Sequence, residues 1–207
     1  MVKRIEVCGN IASGKTTLVR AFENAGYACI FEDFSKIAYL DDFYKNPCEF
    51  AFETEIAFTL QHYHQIRKNV TESAIADFSL ANDYAFALTT LSKEEFVVYE
   101  KMIEYIVNKV GIPEKIIFLD TSASELLNRI GARGRENEKS ISIDYLNNVY
   151  GNTVKTLNKK FETAKIVRVN TEKIGIDEYS KDFLDKLLSN QSDCEWPLEC
   201  LHMHLNK

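Results

Sequence analysis

Apolar and polar residues alternate over residues 2–8, a period of two that predicts a strand. Leu18, Val19 and Phe22 then fall at helical spacing, in a helix expected to end near Gly26. A short apolar run over 27–31 reads as a second strand. Phe52, Ile56, Leu60, Tyr63 and Ile66 recur at intervals of four, four, three and three, predicting an amphipathic helix over 50–68 with a mainly core-facing stripe. Residues 74–77 give a third strand. Ser92, with Glu95 three residues on, reads as the cap of a helix that continues through Phe96, Tyr99, Ile103, Ile106 and Val110 until Gly111 and Pro113 stop it. A buried strand is predicted over 115–119, after which Asp120-Thr121-Ser122 opens another helix. Residues 131–139 look too polar and irregular for a core element. Ile143, Leu146, Val149 or Tyr150, Val154 and Leu157 mark a further helix, 165–169 a fifth strand, and Ile176, Tyr179, Phe183 and Leu187 a last helix.

Five short strands separated by helices define an α/β fold, a five-stranded parallel sheet flanked by helices on both faces. The 207 residues contain no linker or repeat, so one domain over 1–207 is expected, with 191–207 as a tail. A hydrophobic fraction of 45% and a charged fraction of 27% belong to a globular chain. The net charge of −6 argues against a nucleic-acid-coating surface, although a local basic cluster could still hold one small phosphorylated ligand. No apolar run reaches the length of a membrane span, and five dispersed cysteines form no disulfide framework, so a cytoplasmic protein is expected.

The chemistry is concentrated in Gly9-Asn10-Ile11-Ala12-Ser13-Gly14-Lys15-Thr16-Thr17, a phosphate-binding P-loop placed between a strand and a helix. Its glycines let successive N–H groups turn inward, and the following helix adds its positive end. Lys15 suits the β- and γ-phosphates of ATP, and the Thr16 hydroxyl suits Mg²⁺. Glu32 ends the second strand, where parallel sheets open onto a ligand crevice, and could take a proton from an attacking hydroxyl. Asp77, at the end of the third strand, offers Mg²⁺ a hard oxygen. Arg129, Arg133 and Arg135, interleaved with glycines, read as an Arg-rich lid that closes on phosphates.

Taken together, these elements resemble the deoxynucleoside kinase family over residues 2–169. The marks are the P-loop, Glu32, Phe43-Tyr44-Lys45-Asn46-Pro47 ahead of a long helix, Asp77-Phe78-Ser79 with Asp83, and Arg133-Gly134-Arg135-Glu136-Asn137-Glu138 followed by Tyr145-Leu146. The resemblance implies a P-loop kinase fold and Mg²⁺-dependent transfer from ATP to the 5′-hydroxyl of a deoxynucleoside, in nucleotide salvage by a homodimer. It implies Glu32 as the base, Tyr44 and Glu138 on the sugar 3′-hydroxyl, and Glu55 facing the Watson–Crick edge where the family commonly has Gln. Asp83 stands where the family has a base-reading Asp, Asp77 assists the metal, and Arg133 and Arg135 brace the phosphates.

Two positions depart from the family pattern. Phe78 replaces an Arg that usually follows the acidic residue of strand three, and Glu55 replaces Gln, with His62 seven residues on where some members carry Arg. An ionised Glu55 only accepts, so it suits the donors of guanine, adenine or cytosine and disfavours thymine. Two alternatives stand beside this reading: a nucleoside monophosphate kinase of thymidylate kinase type, which needs a cation near strand three, and a catalytically silent nucleotide-binding subunit. Cys194, Cys200, His202 and His204 match no dependable zinc spacing.

Overall fold

The computed structural model describes residues 4–69 and 73–189. Five strands, β1 (Arg4–Gly9), β2 (Cys29–Ile30), β3 (Ala74–Ala76), β4 (Lys115–Asp120) and β5 (Lys165–Asn170), form one sheet in the order β2-β3-β1-β4-β5. Every neighbouring pair is parallel, with Ile5 opposite Ile75 on one side of β1 and opposite Lys115 on the other. The eight α-helices described are α1 (Lys15–Asn24), α2 (Leu40–Lys45), α3 (Pro47–Lys68), α4 (Leu80–Thr90), α5 (Lys93–Val110), α6 (Ala123–Arg133), α7 (Ile143–Lys159) and α8 (Lys181–Leu188).

Alternation along the strands feeds two cores, one on each face of the sheet. Val7, Ile117 and Leu119 pack with Leu18, Val19 and Phe22 of α1 and Leu184 of α8. Cys8, Ile116 and Phe118, the intervening residues, pack with Ile106 of α5 and Leu157 of α7. Each fully buried Leu, Ile or Phe contributes about 1.5–3 kcal/mol against exposure, so the two layers, not helix propensity, hold the sheet.

One polar interaction crosses this core and fixes the crevice. Glu6, wholly buried on β1, accepts from Arg4 Nε (2.7 Å), Ser79 Oγ (2.9 Å) and the Leu80 N–H (3.1 Å). A buried carboxylate thereby caps the start of α4 and locks that helix to the central strand. Further along α4, Asn82 Oδ1 accepts from the Gly9 N–H at 2.8 Å, so the same helix steadies the entrance to the P-loop.

Several expectations hold closely. Ser92 caps α5 with the reciprocal Glu95 bond of a capping box, and Gly111 ends that helix. Others are corrected. The second strand has shrunk to Cys29–Ile30 at the sheet edge. The polar stretch 131–139 is partly regular: α6 runs on through Arg133 because Leu126 and Ile130 bury one face, and Gly134 closes it at φ 63°. A short 3-10 turn, Glu136–Glu138, follows. The last helix begins only at Lys181, capped by Ser180, with a separate 3-10 turn at Ile176–Glu178.

Two helices escaped the sequence reading. Helix α4 buries Leu80, Ala81, Asn82, Asp83, Tyr84, Ala85 and Ala87, nearly all around its axis, and so has no polar face to give it a period. Helix α2 is only six residues long and buries none of them.

The stripe on α3 is also corrected. Ile66 is buried and Ile56 and Tyr63 pack against the core, but Leu60 is 46% exposed and the buried positions also include Thr54, Glu55, Thr59 and His62. This helix turns polar groups inward, which is costly in a core and sensible beside a polar cavity. Residues 2–3 of the first predicted strand, and the cysteines and histidines of 191–207, lie outside the described residues.

Candidate active site

A cavity of about 750 Å³ opens at the carboxyl ends of β1, β2 and β3. It is lined by every candidate residue named from the sequence except Gly9 and Asn10, which build the loop without lining the space.

The loop geometry explains its glycines. A Cβ at Gly9 would lie 2.6 Å from Ser13 Oγ and 3.1 Å from both Leu119 Cβ and Leu119 O, so no larger residue fits. Gly14 takes φ 98° as the N-cap of α1, a conformation that side chains disfavour. Lys15 Nζ folds back onto Gly9 O (2.8 Å) and Asn10 O (3.1 Å). Burial presses its ammonium below the ordinary value, opposed by Glu32, Cys8 and Asp77. Ser13 Oγ is buried with no hydrogen-bond partner among the described residues, a polar atom left for a ligand in a loop shaped for phosphate.

Asp77 ties two strand ends together. Its Oδ2 accepts from Thr16 Oγ1 at 3.0 Å and its Oδ1 from the Glu32 N–H at 2.6 Å. Burial raises its pKa, opposed by the hydrogen bonds from the Glu32 N–H and the Thr16 hydroxyl, while the charge of Glu32 adds to the rise. Thr16 and Asp77 thus present hard oxygens side by side, a donor set that fits Mg²⁺.

Beside them, His62 joins two elements. Its Nε2 lies 3.0 Å from Glu32 Oε1 and its Nδ1 2.8 Å from Asp83 Oδ2. A neutral imidazole has one N–H, so only the doubly protonated ring donates to both carboxylates. Burial by itself would depress the His62 pKa, but Asp83 and Glu32 outweigh it and bring it to about 10. The ring stacks on Phe78, the residue found where a guanidinium was expected.

The lid arginines are already engaged. Arg133 and Arg135 both donate to Glu138, which is buried on the cavity wall. Arg129 is tied to Glu125 Oε1 (2.9 Å) and to Thr171 O (2.9 Å) while still lining the cavity. Tyr44 faces the same space, its phenol pushed up to about 12 by burial and by Glu138.

Glu55, also on the wall, is 6% exposed. Burial raises its pKa to about 8, so the acceptor-only carboxylate expected from the sequence is disfavoured at neutral pH. Thr90, its hydrogen-bond partner, and Phe86, another wall residue, lie on α4 and went unnoticed with that helix. Asn82 escaped for the same reason.

A strand–glycine loop–helix cradle with Lys15 directly after its last glycine, beside acidic strand ends and an arginine-bearing helix, defines a P-loop kinase, a nucleotide-binding phosphotransferase. The sequence profile of the deoxynucleoside kinase family matches residues 5–191, and the chain belongs to that family. It is 31% identical over 198 residues to the deoxyguanosine kinase of Bacillus subtilis, an alignment covering 92% of each chain. It is 29% identical to the deoxyadenosine kinase of Dictyostelium discoideum, over 80% of this chain and 71% of that one. A solved deoxyadenosine kinase of M. mycoides with bound dCTP superposes with a TM-score of 0.76 at 19% identity, spanning 89% of this chain and 98% of the other, which establishes the common fold. These comparisons do not favour the nucleoside monophosphate kinase alternative. Among the described residues no helix is long and apolar enough to cross a membrane.

Proposed function

We propose that the chain transfers the γ-phosphoryl group of ATP to the 5′-hydroxyl of a deoxynucleoside, and that Glu32 is the base. The observation that carries this reading is the Thr16–Asp77–Glu32 linkage, which seats the Glu32 backbone against the loop that would hold the triphosphate. The P-loop N–H groups and Lys15 hold the β- and γ-phosphates, and Lys15 exchanges its contacts with Gly9 O and Asn10 O for phosphate oxygens. Mg²⁺, held by Thr16 and Asp77, would neutralise charge on the phosphates.

Glu32 accepts the hydroxyl proton as the oxygen attacks. Arg133 and Arg135 bear developing charge once they leave Glu138, with Arg129 beside them; the freed Glu138 and Tyr44 take the sugar 3′-hydroxyl. Asp83 and Glu55 face the base. A purine or cytosine acceptor fits this wall, the purine supported by relatives whose names give deoxyguanosine and deoxyadenosine as substrates. Rejection of thymine belongs only to the ionised form of Glu55, because the protonated acid can also pair with thymine N3–H and O4. Salvage of deoxynucleosides by a homodimer follows from the family resemblance.

Incubation with labelled ATP, Mg²⁺ and each of the four deoxynucleosides tests the reading. A 5′-monophosphate product is expected, and the Glu32→Gln variant should turn over about 10²–10⁴ times more slowly. ATP turnover without an added nucleoside, or unchanged turnover in that variant, would overturn it.

A further inference from the structure

Glu55 sits on α3 two helical turns before His62, which contacts Glu32. Seven residues of helix rise about 10.5 Å, roughly the reach of a nucleoside from its 5′-hydroxyl to the far edge of its base. The cavity wall also carries Phe58 and Phe86, and the buried Thr54 Oγ1 has no hydrogen-bond partner among the described residues.

The hydrogen bonding around Glu55 constrains its proton. Thr90 Oγ1 lies 3.0 Å from Glu55 Oε1 and also 3.0 Å from Phe86 O, the carbonyl one turn earlier on its own helix. A hydroxyl has one proton to give. If Thr90 donates to the Phe86 carbonyl, the usual partner of a helical threonine, then only a protonated Glu55 completes the second bond, by donating to Thr90.

The groups that act on Glu55 from the surrounding elements are Asp83 on α4, Tyr99 on α5 and Tyr145 on α7, none of them a cation. Asp83 is engaged with His62, and both tyrosines are held in the neutral form by burial. The raised pKa of about 8 agrees with this geometry.

We propose that Glu55 reads the base as an uncharged carboxylic acid, offering one donor and one acceptor as an amide would, and that losing its proton narrows the acceptor to guanine. The acid can pair with adenine at N1 and N6, cytosine at N3 and N4, guanine at O6 and N1, or thymine at O4 and N3. The anion only accepts. It matches the N1–H and amino group of guanine, but meets the lone pair of adenine N1 or cytosine N3 with repulsion. The proton therefore acts as a specificity element, reversible within the ordinary range of assay pH.

This inference rests on the reading of residue 55 as a base contact, and the test separates the two. The ratio of kcat/KM for deoxyguanosine over deoxyadenosine is measured from about pH 6.5 to 9, in the natural enzyme and in Glu55→Gln. The natural enzyme should gain about tenfold or more in this ratio as the acid ionises over about two pH units. The amide variant should keep a flat ratio, because it cannot ionise and any titration of the substrate is common to both enzymes. An equal pH response in both enzymes, or none in either, would overturn the proposal while leaving deoxynucleoside phosphorylation intact. Absence of phosphorylation at every pH would overturn both readings.

Discussion

The imidazole of His62 lies flat on the ring of Phe78, with centroids 4.0 Å apart and planes within 3°. By the family resemblance an Arg is expected at position 78; a phenyl ring stands there, and the positive charge comes from the imidazole that it covers. Phe78 fixes the plane of that ring, Asp83 holds one nitrogen, and the other reaches Glu32. Phe at position 78 therefore does not leave Glu32 without a cationic partner.

Replacing His62 by Gln keeps a polar side chain but cannot donate in opposite directions to two carboxylates. As a positioning residue, His62 should affect kcat for the nucleoside by about tenfold or more, with KM for ATP nearly unchanged. A change confined to thermal stability, with kcat intact, would show that the ring only holds α3 and α4 together.

Phe78→Arg introduces the residue that the family resemblance leads one to expect, but into a site built around a different cation. Phe78 is 2% exposed and stacks on a charged ring, so a guanidinium there faces burial and like-charge repulsion. A loss of about 2–4 kcal/mol is expected in chemical denaturation. The double variant with His62→Gln should recover part of it, because the competing cation is gone.

Glu6→Gln tests the polar link through the core. The amide cannot act as acceptor at all the contacts from Arg4, Ser79 and Leu80, and it leaves Arg4 without its buried counter-ion. A destabilisation of about 3 kcal/mol or more is expected, read by thermal or denaturant unfolding.

Gly9→Ala and Gly14→Ala should differ in kind. The first drives a methyl into Ser13 Oγ and the Leu119 backbone, displacing the loop and abolishing ATP binding. The second meets no atom within 4 Å and imposes strain at φ 98°, about 1–2 kcal/mol. Calorimetric titration with ATP would distinguish them: weakened but measurable affinity for Gly14→Ala, none for Gly9→Ala.

Glu55 also gives a signed pH dependence of stability. Its native pKa, about 8, exceeds the unfolded carboxyl value of about 4.3, so between those limits the folded chain holds a proton that the unfolded chain releases. Stability from this group is present at low pH and falls as pH rises, by at most about 1.4 kcal/mol per unit. The melting temperature of Glu55→Gln relative to the natural enzyme should increase from pH 5 to pH 8 and level off above. A constant difference would show that Glu55 titrates normally.

The amino-acid order alone determined the five-stranded parallel arrangement, because strand periodicity, caps and turn residues act within a few neighbours. It also determined the phosphate loop, since Gly9, Gly14, Lys15 and Thr16 must stand at fixed spacing for one backbone turn to enclose a phosphate. Helix α4 was invisible because burial all around its axis erases the amphipathic signal, and the α3 stripe held only in part because its inward face mixes Ile66 with Thr54, Glu55, Thr59 and His62. Which groups share a proton was decided only by tertiary structure. Glu32, His62 and Asp83 meet from three separate segments, and Glu55 meets Thr90 across two helices. Such contacts form when distant parts of the chain are buried together, and burial in turn sets the charge that each group carries, a quantity no local pattern encodes.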